Sequence, residues 1–310
     1  MPKVPKIKVV GIGGSGVNAV NRMHKSGILG VELVAVNTDV QSLNASAAEK
    51  KILIGEKTTG GLGSGMDVRV GEKAARESYE TLKLALNGAE MVFLTCGLGG
   101  GTGSSGIPIL GEIAKHLRAL TVAIVTLPFS FEGAARRAIA NQALKKLQDN
   151  VDSLLVIPND KLLLLSGPNT TVEHAFWLGD SVLREAVKGI ADLISLNGII
   201  SVNLADLRNL LEDSGKAFLG IGQAKGEKRA TIAANMALNS PLLDFALHEA
   251  QGILLNIAGG DDLSLAEVNT AASFIKQQAP STAKIIFGVS DDPSLPKGEI
   301  KITVIASAGK

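Results

Sequence analysis

The apolar positions of the first 160 residues fall into short runs separated by helix-length segments of mixed polarity. The runs are KIKVVGI (6–12), VELVAVN (31–37), MVFLTC (91–96), LTVAIVTL (120–127) and SLLVIPN (153–159), and helices are predicted from about Val17, over 107–119 and over 134–148. Strands that alternate with helices in this way form parallel sheets covered by helices on both faces. Ligands of such sheets bind at the carboxyl ends of the strands, so the pattern predicts an α/β domain with a site at that edge.

The second half of the chain follows a different pattern. A helical pattern runs from Thr171 to Ser195, which corresponds to a rod of roughly 35 to 40 Å. Strands are then predicted at 199–203, 218–226, 252–260, 283–290 and 299–307, with helices at 204–213, 230–238 and 265–278. Because strands and helices alternate less strictly here, we predict a smaller α+β domain with a mixed sheet. The predicted boundaries are 1–170, a connecting helix at 171–196, and 197–310.

Composition excludes several classes of protein. The net charge is +1, only 3% of the residues are aromatic and no basic run occurs, which argues against a nucleic-acid partner. Cys96 is the only cysteine, so no intramolecular disulfide is possible and a reducing compartment fits. No signal peptide or membrane-length apolar stretch is recognised, which predicts a cytoplasmic protein without direct membrane insertion. The four histidines are scattered and no HExxH or paired CxxC occurs, so no metal site built by side chains is expected.

Three glycine-rich loops carry the strongest chemical signal. GIGGSG (11–16) matches G-x-G-x-x-G, and Asp39 stands at about the distance of a ribose-binding acid, which taken alone indicates a dinucleotide site. GGLGSG (60–65) and GLGGGTGSSG (97–106) follow at further predicted strand-to-helix junctions. Backbone N–H groups in such loops can surround a polyphosphate, with hydroxyls of Thr102, Ser104 and Ser105 as added donors. No G-x-x-x-x-G-K-[ST] occurs, which disfavours a P-loop NTPase.

GGGTG at 99–103, between a predicted strand and a predicted helix, resembles the signature loop of the tubulin and FtsZ superfamily. The resemblance to FtsZ continues in order through GIGGSGVNAVNRM, VNTD, FSFEGAARR, IPND, GIADLI, SPLL, LLNIAGGDDLSLAEVN and IIFG, along nearly the whole chain. It implies a GTP-binding domain at 1–170, a central helix at 171–196 and a C-terminal activation and polymerisation domain at 197–310. It further implies GTP or GDP as ligand, Mg²⁺ bound through the nucleotide, and head-to-tail stacking of identical protomers.

The resemblance also implies a set of nucleotide-binding residues. The first loop contributes Gly13, Gly14 and Asn18, and the phosphates are held by Gly99, Gly100, Gly101, Thr102 and Gly103. Ribose and phosphate are contacted by Glu132 and Arg136, and guanine is faced by Asn159 and Asp180. The set is completed by Gly63, Gly65, Ser104 and Phe176. The last pairing is chemically reasonable, because a carboxylate only accepts hydrogen bonds and guanine offers N–H donors on one edge. The plainer alternatives are a solvated Asp180, a surface Arg136 and a turn residue at Asn159.

Two departures from the family pattern concern the site. Ser105 stands where the signature usually has a glycine; because serine can cap a helix, we expect phosphate binding to be kept. SVNLAD (201–206) stands where FtsZ typically has N-x-D-F-A-D, a loop whose acids act on the attacking water in the neighbouring protomer. Asn203 therefore replaces an Asp, and an amide cannot accept the proton of a water. We predict a slow GTPase with Asp206 as the remaining catalytic carboxylate.

Three functions follow from these motifs. The first is a polymerising GTPase of cell division, which hydrolyses GTP between protomers. The second is a GTP-bound scaffold with little or no hydrolysis, which Asn203 would allow. The third, an NAD-dependent oxidoreductase, rests on GIGGSG and Asp39 and leaves two glycine loops unexplained. The sequence stops at Lys310 without the linker and short peptide that recruit adaptors in FtsZ proteins, so adaptor partners stay open.

Overall fold

The computed structural model describes residues 5–165, 170–194, 198–243, 245–292 and 295–309. The chain divides into two compact units, one from Pro5 to Val187 and the other from Lys188 onwards. The predicted domain boundaries stay a prediction, and the predicted helix end at Ser195 lies outside the described residues.

A parallel sheet forms the centre of the first unit. Its strands are β1 (Ile7–Ile12), β2 (Val31–Asn37), β3 (Lys50–Leu53), β4 (Met91–Gly97), β5 (Leu120–Leu127) and β6 (Ser153–Pro158), in the spatial order β3-β2-β1-β4-β5-β6. All five neighbouring pairs are parallel, and Val9 of β1 lies opposite Leu33 on one side and Phe93 on the other. The strand order reverses between β1 and β4, which is the point at which parallel sheets bind their ligands.

Helices of the first unit cover this sheet. They are α1 (Gly13–Lys25), α2 (Val40–Asn44), α3 (Glu56–Thr59), α4 (Val68–Glu77), α5 (Tyr79–Leu86), α6 (Gly101–His116), α7 (Ala134–Gln148) and α8 (Asn159–Leu162), with 3₁₀ turns at Ser130–Glu132 and Leu163–Leu165. The sequence prediction lacked β3 and α2 to α5. GGLGSG, expected after a strand, instead follows α3.

Two helices begin earlier than the sequence pattern predicts. α1 begins at Gly13 rather than near Val17, and α6 begins at Gly101 rather than at 107. The expectation that Ser105 caps a helix is wrong. Ser105 is buried in the second turn of α6, where its hydroxyl donates to the Gly101 carbonyl oxygen at 2.6 Å. Glycines disfavour helix as isolated residues, and here tertiary packing overrides that propensity.

Aliphatic side chains fill the space between sheet and helices. One cluster joins Val10, Leu94, Ile107 and Leu110 with Cys96, all fully buried. Burial raises the pKa of the Cys96 thiol, because a thiolate is poorly stabilised among apolar groups. Cys96 therefore acts as a small packing residue.

A long helix, α9 (Val172–Ile194), follows. Its 23 residues correspond to a length of about 35 Å, at the lower end of the expected range. The division between the compact units falls within it, after Val187. None of the helices in the described ranges combines the length and the apolar character needed to span a membrane.

The second unit contains a mixed sheet, as predicted. Its elements are β7 (Gly198–Ile200), α10 (Leu204–Leu211), β8 (Gly215–Lys225), α11 (Arg229–Leu238), β9 (Gly252–Gly259), α12 (Leu265–Gln278), β10 (Lys284–Asp291) and β11 (Glu299–Ser307). β9 and β10 are parallel, whereas β11 is antiparallel to both β8 and β9. β7 is antiparallel to β10 and shorter than the predicted strand at 199–203.

Candidate nucleotide site

A cavity of about 300 Å³ lies at the carboxyl ends of the parallel strands in the first unit. Its walls come from the turn after β1, the loop before α4, the β4–α6 loop, the end of β5, the start of α7, α8 and α9. The lining residues are Gly13, Gly14, Ser15, Ser64, Met66, Gly97, Leu98, Gly100, Gly101, Thr102, Gly103, Thr126, Pro128, Glu132, Arg136, Asn159, Phe176, Gly179 and Asp180. The glycine loops thus meet at one place, as the parallel sheet predicts.

Close backbone packing explains why the loops are rich in glycine. Gly13 has φ +74°, and a Cβ on it would lie only 2.9 Å from the backbone nitrogen of Gly103. A Cβ on Gly101 would lie 2.5 Å from Ser64 Oγ and 2.8 Å from the Asp67 carbonyl oxygen. Real Cβ atoms do not approach other groups so closely, so the first and second glycine loops pack against the third only because side chains are missing.

Hydroxyl groups fix the conformation of these loops. Ser15 Oγ accepts a hydrogen bond from Gly97 N at 2.7 Å and so links the turn after β1 to the end of β4. Ser104 Oγ accepts from Gly99 N at 2.8 Å. Thr102 Oγ1 lies 2.7 Å from Thr38 Oγ1 and donates to Ser64 Oγ at 3.0 Å. Ser104 and Ser105 therefore shape the loop through backbone contacts, while Thr102 reaches the cavity wall.

Two helix N-termini make part of the cavity suitable for binding an anion. α1 follows Ile12 and α6 follows Gly100, and neither residue carries a side chain that can cap a helix. The first N–H groups of a helix lack partners within the helix, and the helix dipole places partial positive charge there. Both helices start with residues that line the cavity, so this end of the site offers backbone donors to a negatively charged ligand.

An ion pair at the start of α7 forms another part of the cavity wall. Arg136 Nη1 contacts Glu132 Oε2 at 2.8 Å, and Glu132 Oε1 accepts from Phe129 N at 2.9 Å. Phe129 is buried and stacks on Phe131 at 5.0 Å, and the ring of Phe176 on α9 meets it edge-on at 5.4 Å. This aromatic cluster joins α9 to the β5–α7 segment.

The cavity wall also offers acceptors. Asn159 is buried, and its Oδ1 has no hydrogen-bond partner among the described residues. Asp180 lies on α9, and its Oδ2 accepts from Arg22 Nε of α1 at 2.8 Å. Burial raises the pKa of Asp180, and the hydrogen bond and charge of Arg22 partly oppose that shift. A buried, unpaired amide oxygen beside a carboxylate is suited to a ligand that presents N–H groups.

The structure brings most of the predicted nucleotide-binding residues to the cavity wall. Gly13, Gly14, Gly100, Gly101, Thr102, Gly103, Glu132, Arg136, Asn159, Phe176 and Asp180 line it, whereas Asn18, Gly63, Gly65, Gly99 and Ser104 are outside the lining set. Asn18 is exposed on α1. Their roles in binding stay a prediction.

Sequence reasoning missed several lining residues. These are Ser15, Ser64, Met66, Gly97, Leu98, Thr126, Pro128 and Gly179. Ser15 and Ser64 stand inside the glycine loops and Thr126 stands near the end of a predicted strand, so position alone could have indicated them. Met66 and Pro128 carry no comparable signal, because only the fold brings them to the cavity.

The predicted catalytic residues lie in the second unit. Asn203 precedes α10, and its Oδ1 accepts a hydrogen bond from Asp206 N at 2.7 Å. Asn203 is therefore the N-cap of this helix, and Asp206 occupies its first turn, where a carboxylate complements the helix dipole. These positions leave the predicted catalytic roles untested.

Metal ligands are not grouped in the described parts of the chain. Within those ranges no set of three or more His, Cys, Asp or Glu side chains is placed to hold a metal ion. The expectation that Mg²⁺ enters with the nucleotide stays a prediction.

Comparison with known proteins decides the family. Residues 6–167 match the model of the Tubulin/FtsZ family, GTPase domain, and residues 215–309 match the FtsZ family, C-terminal domain. The chain belongs to the Tubulin/FtsZ family. A structure of FtsZ from M. jannaschii, described as an empty dimer, is 44% identical with a TM-score of 0.95, over 98% of this chain and 88% of that one.

Two structures of lower sequence identity share the fold. CetZ2 from Haloferax volcanii, described as a GTPγS-bound protofilament, is 22% identical with a TM-score of 0.80, over 98% of this chain and 93% of that one. CetZ1 from the same organism, described as a GDP-bound monomer, is 23% identical with the same TM-score, over 98% and 94%. The two domains expected from the resemblance, a parallel-sheet GTPase domain and a mixed-sheet C-terminal domain, are thus those of the family.

The structure gives Asp39 a role that does not support the alternative of a dinucleotide-binding oxidoreductase. Asp39, which it assigned to a ribose, is the N-cap of α2 and accepts hydrogen bonds from Gln41 N and Ser42 N at 2.8 and 3.2 Å. Its carboxylate has a structural role without any ligand.

Proposed function

We propose that this chain is a GTPase that binds GTP in the cavity of the first unit, assembles head to tail, and hydrolyses GTP between protomers. The observation that carries the proposal is that the cavity wall combines hydrogen-bond donors with buried acceptors. The uncapped N-termini of α1 and α6 line the cavity, and so do Asn159 and Asp180. A guanine nucleotide needs both kinds of group, because its phosphates accept hydrogen bonds and its base carries N–H donors.

The residues present fit such a ligand. The buried Asn159 Oδ1 has no partner among the described residues, and an unpaired buried acceptor costs about 1–3 kcal/mol. An N–H donor of the base would remove that cost. Asp180 supplies a second acceptor, and Phe176 an apolar ring in the same wall. The backbone of Gly101 to Gly103 and the Thr102 hydroxyl hold phosphate oxygens, and Arg136 adds positive charge. Mg²⁺ bound to the phosphates would supply further neutralising charge.

Hydrolysis is assigned to the next protomer of a filament. Head-to-tail contact is a heterologous interface, and such interfaces generate open filaments when their rotation does not close. The dimer and protofilament described for FtsZ and CetZ2 support assembly of this kind. We assign Asp206 of one protomer to the attacking water at the nucleotide of another, with Asn203 beside it. Because Asn203 can orient a water but cannot take its proton, turnover is slow.

By analogy with FtsZ, we further propose a cytoplasmic role in cell division. The alternative is a scaffold that keeps GTP in the filament, and Asn203 is the observation that favours it. Nucleotide analysis of assembled filaments separates the two functions, since a scaffold retains GTP and an enzyme accumulates GDP.

The deciding experiment is phosphate release with Mg²⁺ and GTP over a range of protein concentrations, with sedimentation of the same samples. We expect release per protomer to appear above a threshold concentration, together with pelleted polymer. Asp206→Asn should abolish release without abolishing polymer, and Glu212→Gln, an exposed acid beyond the far end of α10, is the matched control. Polymer without release would support the scaffold. Absence of both polymer and release would refute the assignment.

A further inference from the structure

One ion pair joins a residue of the cavity wall to a residue that does not line the cavity. Arg22 on α1 reaches Asp180 on α9, with Nε 2.8 Å from Oδ2. Asp180 lines the cavity, whereas Arg22 is outside the lining set. The Asp180 side chain is only 14% exposed and that of Arg22 is 36% exposed. Arg22 therefore contacts the carboxylate from outside the cavity and leaves Oδ1 and the second lone pair of Oδ2 for a ligand.

The surroundings of Asp180 make its ionisation depend on the contact with Arg22. Burial raises the pKa of the Asp180 carboxyl, and Arg22 opposes the rise through its hydrogen bond and its charge. The other charged residues of the cavity wall, Glu132 and Arg136, pair with each other at 2.8 Å. Among the described residues, Arg22 is thus the cation that contacts this carboxylate. Its hydrogen bond also restrains rotation of the carboxylate plane.

We propose that Arg22 is a positioning residue that keeps Asp180 ionised and oriented, so that the site distinguishes guanine from purines that lack a 2-amino group. The inference rests on the proposed function, because it assigns Asp180 to the base. An ionised carboxylate accepts hydrogen bonds from both N1–H and the 2-amino group of guanine. Hypoxanthine keeps N1–H and lacks the amino group, so it leaves one buried acceptor lone pair without a donor.

The test is competition of GTP and ITP against a fluorescent GTP analogue. Wild type should prefer GTP by roughly ten- to a hundredfold, the value of one hydrogen bond to a charged group. Arg22→Gln should reduce that preference to less than about a third of the wild-type ratio. Arg22→Lys, which keeps the charge but lacks the planar guanidinium, should restore part of it. Arg76→Gln removes a half-exposed Arg76–Glu112 pair between α4 and α6 and is the matched control.

A pH series supplies a readout that a structural role alone would not change. Nucleotide affinity should fall as the pH falls through the pKa of Asp180, because the protonated acid no longer accepts both hydrogen bonds. Without Arg22 that pKa is higher, so the midpoint of the fall should move to higher pH in Arg22→Gln. Arg22→Lys should return the midpoint toward the wild-type value, and Arg76→Gln should leave it unchanged.

The possible outcomes separate the inference from the proposed function. Wild type that binds neither nucleotide would refute both. Wild type that prefers GTP, with an Arg22→Gln variant of unchanged preference and pH midpoint, would overturn the role of Arg22 and leave the function standing. Thermal denaturation shows whether Arg22→Gln is folded. If it is not, Arg22→Lys carries the test, and a GTP preference equal to that of wild type in this variant would overturn the inference, because only part of the preference should return.

Discussion

Restoring a carboxylate at residue 203 tests the catalytic argument without disturbing the fold. Asn203 Oδ1 caps α10 through Asp206 N at 2.7 Å. Asp and Asn cap helices about equally well, so Asn203→Asp should keep this hydrogen bond. A negative charge at a helix N-terminus adds about 0.3–1 kcal/mol, and repulsion by Asp206 removes about 0.2–0.5 kcal/mol. The free energy of unfolding should therefore change by less than about 1 kcal/mol.

The rate should respond much more strongly than the stability. One carboxylate oxygen makes the cap, and the other is left to accept a proton from water. Positioned acid–base groups accelerate reactions by about 10² to 10⁴, and we expect at least a tenfold rise in GTP turnover per protomer in the polymer. Asn203→Ala is the contrasting variant, because it loses the cap. It should cost about 0.5–2 kcal/mol of stability and should not raise turnover.

Phosphate release measured on sedimenting polymer, with urea unfolding of the same preparations, checks both values. Protein concentration must exceed the assembly threshold of each variant, so that turnover is compared between polymers. Unchanged turnover in polymerised Asn203→Asp of wild-type stability would refute the idea that the amide limits hydrolysis. Equal acceleration in Asn203→Ala would show that the loop acts through its conformation rather than through a carboxylate.

Three further predictions concern the first unit. Gly14→Ala should change the free energy of unfolding by less than about 1 kcal/mol, since an added Cβ meets nothing within 4 Å. The same variant should bind GTP more weakly in the competition assay, because that Cβ enters the cavity. Gly71→Ala should cost about 1–3 kcal/mol in urea unfolding, because its Cβ would lie 2.5 Å from the Gly101 carbonyl oxygen and against Ser105; full stability would contradict the close packing of α4 on α6. Burial holds the pKa of Asp180 in the folded protein above its ordinary value of 3.8. Protonation of Asp180 therefore stabilises the nucleotide-free fold fully below pH 3.8. This contribution to the free energy of unfolding is lost as the pH rises through the pKa of the folded state. Asp180→Asn should accordingly flatten the pH dependence of nucleotide-free stability just above pH 3.8 and abolish GTP preference. A steeper dependence of the free energy of unfolding on pH in this variant would refute the predicted sign.

Long apolar runs and regular helical patterns let the sequence determine much of the fold. The bounds of β5, α7, α12 and β11 agree with the runs read from the sequence, because each element carries its own period and its own flanking turn residues. The mixed sheet of the second unit followed from the looser alternation of its strands and helices. The glycine loops, together with the strand-helix alternation, indicated one polyphosphate site at one edge of a parallel sheet.

Weak local patterns mark the region that the sequence did not determine. β3 and α2 to α5 lie between residues 40 and 86, where the elements are short and tertiary contacts decide between helix and turn. The starts of α1 and α6 were misplaced for a related reason. Both helices start in glycine loops that pack against neighbouring backbones, and that packing is invisible in a local pattern.

The cavity itself is a product of the tertiary structure. The sequence determined the kinds of group available: backbone donors in glycine loops, an Asn, an Asp and an Arg–Glu pair. It did not determine that Met66 and Pro128 line the same wall, that Ser104 bonds the loop backbone, or that Arg22 lies behind Asp180. Arg22 and Asp180 are 158 positions apart, and their contact exists only because the fold places α1 beside α9. Local propensity acts over a few residues, whereas the ionisation and orientation of a buried carboxylate depend on whichever distant group the fold places beside it.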